Sequence, residues 1–306
     1  MAPDLLPGFT RQFIKTPEAS IFVRTKIDSN KPPLLLLHGF PQTHVEFHPI
    51  IPSLLPHFSI VLMDLRGYGA SSTVPSTNGS GYSKRLMAQD CVSVMNQLGY
   101  DKFTVVGHDR GARVAYRLAF DHPQTLVKLV VVDIIPTAAM FRGFGDANAG
   151  LKAYHWLFLA QPAPFPETMI KGTDNGKGFL EHTLASWTKV RTLAHFDEAS
   201  LEEYINAYCS EERIHSTCED YRAGAFLDRV YDEEELESGK KIETPMLAVW
   251  GSSGLFAGVT TAKTEGPLDV WKRYASNVRG KGLECGHFIP EEDPEGLVEA
   301  LREFLL

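Results

Sequence analysis

Val105-Val106-Gly107-His108-Asp109-Arg110-Gly111-Ala112-Arg113 decides how the rest of this chain is read. Phe103 to Val106 make a short apolar, β-rich run, and Gly111 to Phe120 alternate small and apolar residues at helical spacing. The pattern predicts a buried strand turning sharply into a helix. Glycines flank the turn as in the nucleophile elbow G-x-S-x-G, whose tight packing lifts one side chain clear of a sheet. Asp109 stands where that motif has serine. A carboxylate presented there attacks an sp3 carbon and leaves an alkyl ester on the protein, which water cleaves in a second step. The plain alternative is an aspartate that only caps a helix.

The bulk numbers narrow the setting. A chain of 306 residues is ample for a sizeable core without extra staples. A net charge of -8 with mixed signs shows neither a nucleic-acid-binding basic patch nor a single-sign tail. Cys91, Cys209, Cys218 and Cys285 lie far apart without metal-ligand spacing, which favours a reduced, cytoplasmic setting. Cys209 and Cys218 are the one pair that could bridge. No signal-type segment follows Met1, and the longest apolar runs are strand length, so no membrane crossing is expected.

Outward from the elbow, Ser20 to Thr25, Pro33 to Leu37 and Ser59 to Asp64 read as strands before it, with a turn at Asp28 to Lys31. A helix from Ser83 to Leu98, the strand Phe103 to Gly107, a helix from Arg110 to Asp121 and a strand from Leu126 to Asp133 follow. This alternation predicts an α/β fold with a mostly parallel sheet buried on both faces. After Pro136 the chain turns aromatic and helix-forming, with several Gly/Pro breaks, as far as Gly239. Residues 137–240 therefore read as an inserted helical cap domain, and 1–136 with 241–306 as the core. A strand at Met246 to Trp250, a Gly/Ser/Thr-rich loop to Gly266, a helix near Asp269 to Ala275 and a closing helix from Glu295 to Leu306 complete the core.

Six segments, in order along nearly the whole chain, carry a resemblance to the fluoroacetate (haloacetate) dehalogenases of the α/β-hydrolase superfamily. They are His38-Gly39-Phe40-Pro41-Gln42-Thr43, the elbow, Asp133-Ile134-Ile135-Pro136-Thr137, Tyr154-His155-Trp156, Cys218-Glu219-Asp220-Tyr221-Arg222 and Gly286-His287-Phe288. An aspartyl ester needs a base to activate water, and His287 lies late in the chain, where the fold puts its histidine. A third group must orient that imidazole. Many relatives carry this acid after the strand equivalent to Met246–Trp250, yet Gly251 to Phe256 contains none. Asp133 fills the gap, and the resemblance places the acid there too.

Arg110 and Arg113 stand one turn apart and suit a bidentate grip on a substrate carboxylate, although structural salt bridges are the usual employment of helical arginines. The resemblance implies that His155, Trp156 and Tyr221 form a halide pocket from an imidazole N–H, an indole N–H and a phenol O–H. Without it, they read as aromatics packing the cap. Phe40 and Trp187 are further pocket candidates, and Asp64 with Arg66-Gly67-Tyr68-Gly69 reads as structural. The expected partner is a small-molecule haloacid, with no metal or organic cofactor; the resemblance also suggests a homodimer. Two rivals stand. An epoxide hydrolase would use the same triad with cap tyrosines, Tyr154 and Tyr221, as proton donors, but such enzymes generally have an aromatic residue in place of Arg110. A non-catalytic binder on the same fold would usually have lost a catalytic residue.

Overall fold

The computed structural model describes residues 3–254 and 265–306. Eight strands form one sheet in the order β1-β2-β4-β3-β5-β6-β7-β8. Its centre is β3 (Pro33–Leu37), β4 (Ser59–Met63), β5 (Phe103–His108) and β6 (Leu126–Val132), with β7 (Met246–Gly251) beyond. From β4 through β8 (Val278–Leu283) neighbouring strands run parallel; β1 (Thr10–Lys15) and β2 (Ser20–Lys26) add an antiparallel edge. Every residue of β4 and β5 is buried, as expected of parallel strands covered on both faces. The chain has an α/β-hydrolase fold.

The two outer strands escape a reading by pattern. In β1 only Ile14 is buried, so no alternating apolar signal exists. In β8, Val-Arg-Gly-Lys-Gly-Leu looks like a loop, but the glycines make room for the Trp250 indole on β7. A Cβ at Gly280 would lie 2.8 Å from that ring, and one at Gly282 3.1 Å from its Nε1.

Between β6 and β7 the described chain runs as helices from Thr137–Gly143 to Arg229–Ser238. One long helix, Glu211–Ala223, passes into a π-helical turn at Gly224–Asp228, where a Cβ on Gly224 would lie 3.5 Å from the Arg110 guanidinium. The anticipated Gly/Ser/Thr-rich loop to Gly266 lies mostly outside the described residues. All four cysteines are free thiols, so the Cys209–Cys218 bridge does not form. No described helix is long and apolar enough to cross a membrane.

Candidate active site

The turn after β5 is built by close contact. A Cβ on Gly111 would sit 2.1 Å from the Leu37 carbonyl oxygen, one on Gly107 2.5 Å from the Gly111 carbonyl oxygen, and one on Gly39 2.7 Å from Asp109 Cβ. Only glycine permits this crossing of β3, β5 and the helix Asp109–Asp121. Asp109 itself takes φ 42°, the strained left-handed setting of an elbow nucleophile. Its Oδ2 accepts the Phe40 N–H at 3.0 Å, and no hydrogen bond among the described residues ties Oδ1. Burial opposes ionisation of this carboxyl, but the charges of His287, Arg110, Arg113 and His108 outweigh it and hold its pKa below the usual carboxylate range.

Asp133 follows β6, also at positive φ (51°), and its Oδ2 accepts His287 Nδ1–H at 2.5 Å. The other oxygen accepts the Gly251 N–H at 3.0 Å, and a Cβ on Gly254 would lie 2.6 Å from it. The segment after β7 thus packs its glycines around an acid supplied by β6; of the stretch examined for an acid, Leu255 and Phe256 lie outside the described residues. His287 N–H donates to the Trp187 carbonyl at 2.9 Å. With Nδ1 committed to Asp133, Nε2 is buried and unpartnered, the state of a nitrogen available to take a proton.

The helices between β6 and β7 present a ring of aromatics. His155 packs 4.3 Å from Trp187 and 5.7 Å from Tyr221, which is itself 5.7 Å from Trp156 and 5.4 Å from Phe40. Trp187 also meets His287 at 5.4 Å. Burial lowers the His155 pKa to about 3, so this imidazole is neutral, and its Nδ1 has no partner. Neither the Trp156 indole N–H nor the Tyr221 hydroxyl is hydrogen-bonded among the described residues. All five candidates therefore form one aromatic cluster. Tyr154 touches it at His155, 6.0 Å away, but is itself 41% exposed.

The two arginines are anchored differently. Arg110 donates from Nε and Nη2 to the Asp220 carboxylate at 2.8 and 2.9 Å, and stacks 4.3 Å under the Tyr221 ring. The salt-bridge use of a helical arginine is thus real here, yet Nη1 stays buried without a partner. Arg113 donates Nη1 to the Ile135 carbonyl and the Thr137 hydroxyl at 3.0 and 3.1 Å, under Trp156 at 4.3 Å. Among the described residues its Nε and Nη2 are buried and unpartnered, and no carboxylate pairs with it. Burial, and then the Arg110 charge, hold Arg113 below the ordinary arginine range.

Two groups of supporting residues were invisible to sequence reading. Asp220 also takes Lys84 Nζ and, at 2.7 Å, the Tyr68 hydroxyl; despite burial, Arg110 and then Lys84 hold its carboxyl far below its usual range. The aspartate beside Tyr221 in the quoted Cys218-Glu219-Asp220-Tyr221-Arg222 run was the available signal. Glu46 and His108 pair beneath the elbow at 3.2 Å. The Asp64–Gly69 segment is structural as read: Asp64 accepts His44 and Ala70, and Arg66 pairs with Asp90 at 2.6 Å.

Comparison with known proteins agrees with this architecture. Residues 32–266 match the model of the alpha/beta hydrolase fold. A fluoroacetate dehalogenase from a Burkholderia species is 37% identical over 302 residues, 98% of this chain and 95% of its own. A soluble epoxide hydrolase from Corynebacterium sp. (strain C12) is 31% identical over 273 residues, 89% of each chain. Among solved structures, an α/β hydrolase from Nostoc sp PCC 7120 superposes with a TM-score of 0.89 at 44% identity, covering 97% of this chain and 98% of its own.

Proposed function

Because this chain belongs to the α/β-hydrolase family and presents an aspartate at the elbow, we propose that it hydrolyses the carbon–halogen bond of small 2-haloacids, fluoroacetate first among them. The observation that carries this reading is Arg113: three guanidinium nitrogens, its Nε and Nη2 with Arg110 Nη1, lie buried without partners, all charge-coupled to Asp109. Leaving such groups unsatisfied costs about 1–3 kcal/mol each, and more when charged, unless an anion occupies the space. A substrate carboxylate meets that need and sets its α-carbon toward the nucleophile.

In the reaction, Asp109 Oδ1 attacks the α-carbon while the C–F bond breaks and its electron pair leaves with fluoride. Tyr221, Trp156 and His155 donate to the departing ion, supplying stabilisation that grows as charge develops. The resulting ester keeps Oδ2 as its carbonyl oxygen, with the Phe40 N–H already on it. His287 Nε2 takes a proton from water, whose oxygen bonds to Asp109 Cγ; the Cγ–O bond then breaks and glycolate leaves, reclaiming the proton. Asp133 holds the imidazole tautomer and its charge.

Epoxide hydrolysis uses the same triad with a tyrosine to protonate the alkoxide, a role open to Tyr221, but it leaves the unpartnered nitrogens of Arg110 and Arg113 without an anion. A filled triad speaks against a binder that does no chemistry. The test is fluoride and glycolate release from fluoroacetate by the purified protein, with Asp109→Asn as control and styrene oxide in parallel. Release by wild type alone supports the reading; turnover of the epoxide without fluoride release replaces it.

A further inference from the structure

One carboxylate oxygen beneath the elbow joins two loops of the site. Glu46 Oε2 accepts the Gly39 N–H at 3.2 Å and faces His108 Nδ1 at 3.2 Å. The opposite ring nitrogen, His108 Nε2, lies 2.9 Å from the His287 carbonyl oxygen. Both nitrogens of His108 therefore meet acceptors, a carboxylate on one side and a carbonyl on the other, and an imidazole can satisfy both only by carrying two protons. Glu46 and His108 are completely buried. The peptide after Gly39 supplies the Phe40 N–H on Asp109, His108 precedes Asp109, and His287 is the base. Three loops that must act together are thus bolted to one ion pair.

We propose that Glu46 and His108 form a buried carboxylate–imidazolium strut that positions the Phe40 N–H, Asp109 and His287 for the ester-cleaving step. Neither residue reaches the substrate; they are positioning residues, and the idea rests on the aspartyl-ester mechanism proposed above. Ester cleavage depends most on them, because there the Phe40 N–H must meet the oxyanion while His287 delivers water from the other side.

The charges around the strut agree. His108 is faced by Glu46 from the turn His44–Phe47, by Asp109, by Asp133 after β6 and by the His287 ring at 4.8 Å. Burial opposes its protonation, but Glu46 leads the groups that raise its pKa to about 9. Glu46 is faced in turn by His38 and by Glu291, which receives Gln42 and Tyr204. Burial and the Glu46 charge push the Glu291 carboxyl well above its ordinary range, toward the neutral form.

Two measurements test the strut. In the first, Glu46→Met and Glu46→Gln are compared with wild type and His287→Asn by intact-protein mass spectrometry during turnover of fluoroacetate. Glutamine keeps an acceptor for the Gly39 N–H, whereas methionine keeps only the volume. Glu46→Met is expected to lose about 10- to 100-fold in kcat, the scale of a misplaced oxyanion donor, with KM falling in parallel, kcat/KM changed by less than about threefold and the alkyl-enzyme accumulating. Glu46→Gln should recover most of the turnover. Loss of turnover by Glu46→Met without ester build-up, or full activity, overturns the strut. Absence of ester from His287→Asn instead overturns the mechanism on which it rests. In the second, which needs no variant, wild-type enzyme labelled with nitrogen-15 histidine should show a His108 ring protonated on both nitrogens at pH 8; a neutral ring there also overturns the strut.

Discussion

On the sheet-side floor of the candidate site the reacting groups are held by bonds to one another, whereas around the space above them several polar groups are left waiting. Asp133 is saturated by His287 and Gly251, Asp109 Oδ2 by Phe40, and Glu46 Oε2 by Gly39 and His108, with His287 Nε2 and Glu46 Oε1 left open. Facing that space, Arg110 Nη1 and Arg113 Nε and Nη2 on the elbow helix, and His155 Nδ1 on the roof formed by the helices between β6 and β7, are buried without partners, and the Tyr221 hydroxyl and Trp156 indole N–H make no hydrogen bond among the described residues. The first set holds reacting groups in place before substrate arrives. The second stores unsatisfied donors, which destabilise the protein until an anionic guest satisfies them. Chemistry and recognition are thereby divided between two sets of groups in one chain.

The sharpest way to break this comparison is at the floor. His287→Asn should abolish turnover and leave Asp109 carrying one carboxymethyl group per chain, read by peptide mass spectrometry; an unmodified Asp109 with a substrate that wild type consumes would remove His287 from the second step. Among the waiting donors, Arg113→Met should lower kcat/KM for fluoroacetate by about 100- to 1,000-fold, the worth of charged hydrogen bonds of about 3–4 kcal/mol. Since it also deletes two orphaned buried donors, its melting temperature should equal or exceed that of wild type. A variant that is both inactive and strongly destabilised would make Arg113 a structural residue.

Smaller effects follow at the leaving group. Tyr221→Phe should slow fluoride release by about 10- to 100-fold and chloride release by less than about fivefold, because the poorer leaving group draws more on each donor. Equal losses would take the hydroxyl out of the halide pocket. The smallest effect lies at the seam between roof and floor. There Asp232 of the cap accepts the Tyr116 hydroxyl at 2.9 Å and the Ala138 N–H at 3.2 Å. Burial raises its carboxyl pKa to about 6 from 3.8, so the folded chain holds a proton that the unfolded chain gives up first. That contribution is complete below the unfolded value near pH 4 and lost as pH rises through about 6. Asp232→Asn should therefore gain on wild type by up to about 3 kcal/mol between pH 4 and pH 8 in urea titrations. A pH-independent difference would refute the assignment.

Legibility in the sequence followed the same division. The elbow, the strand runs beside it and the late histidine are local patterns, because a parallel strand buried on both faces must be apolar throughout and a close crossing demands glycine. The acid at Asp133 was readable from an absence, since no acid follows β7. What local pattern does not carry is pairing at long range: Asp220 with Arg110 and Lys84, and Glu46 with His108, join residues 62 to 136 positions apart. The edge strands β1 and β8 lacked a burial period for the same reason, taking their structure from a neighbour rather than from themselves. Cys209 and Cys218 were close in number only; both remain thiols.

The origin of the glycolate oxygen tests the central claim most directly. With enzyme in excess over fluoroacetate in water enriched in oxygen-18, a single turnover should yield glycolate whose hydroxyl oxygen is unlabelled, because it comes from Asp109, while the label appears in the Asp109 side chain. Labelled glycolate from that first turnover, with Asp109 unlabelled, would mean that water attacks the α-carbon directly and that Asp109 is not the nucleophile.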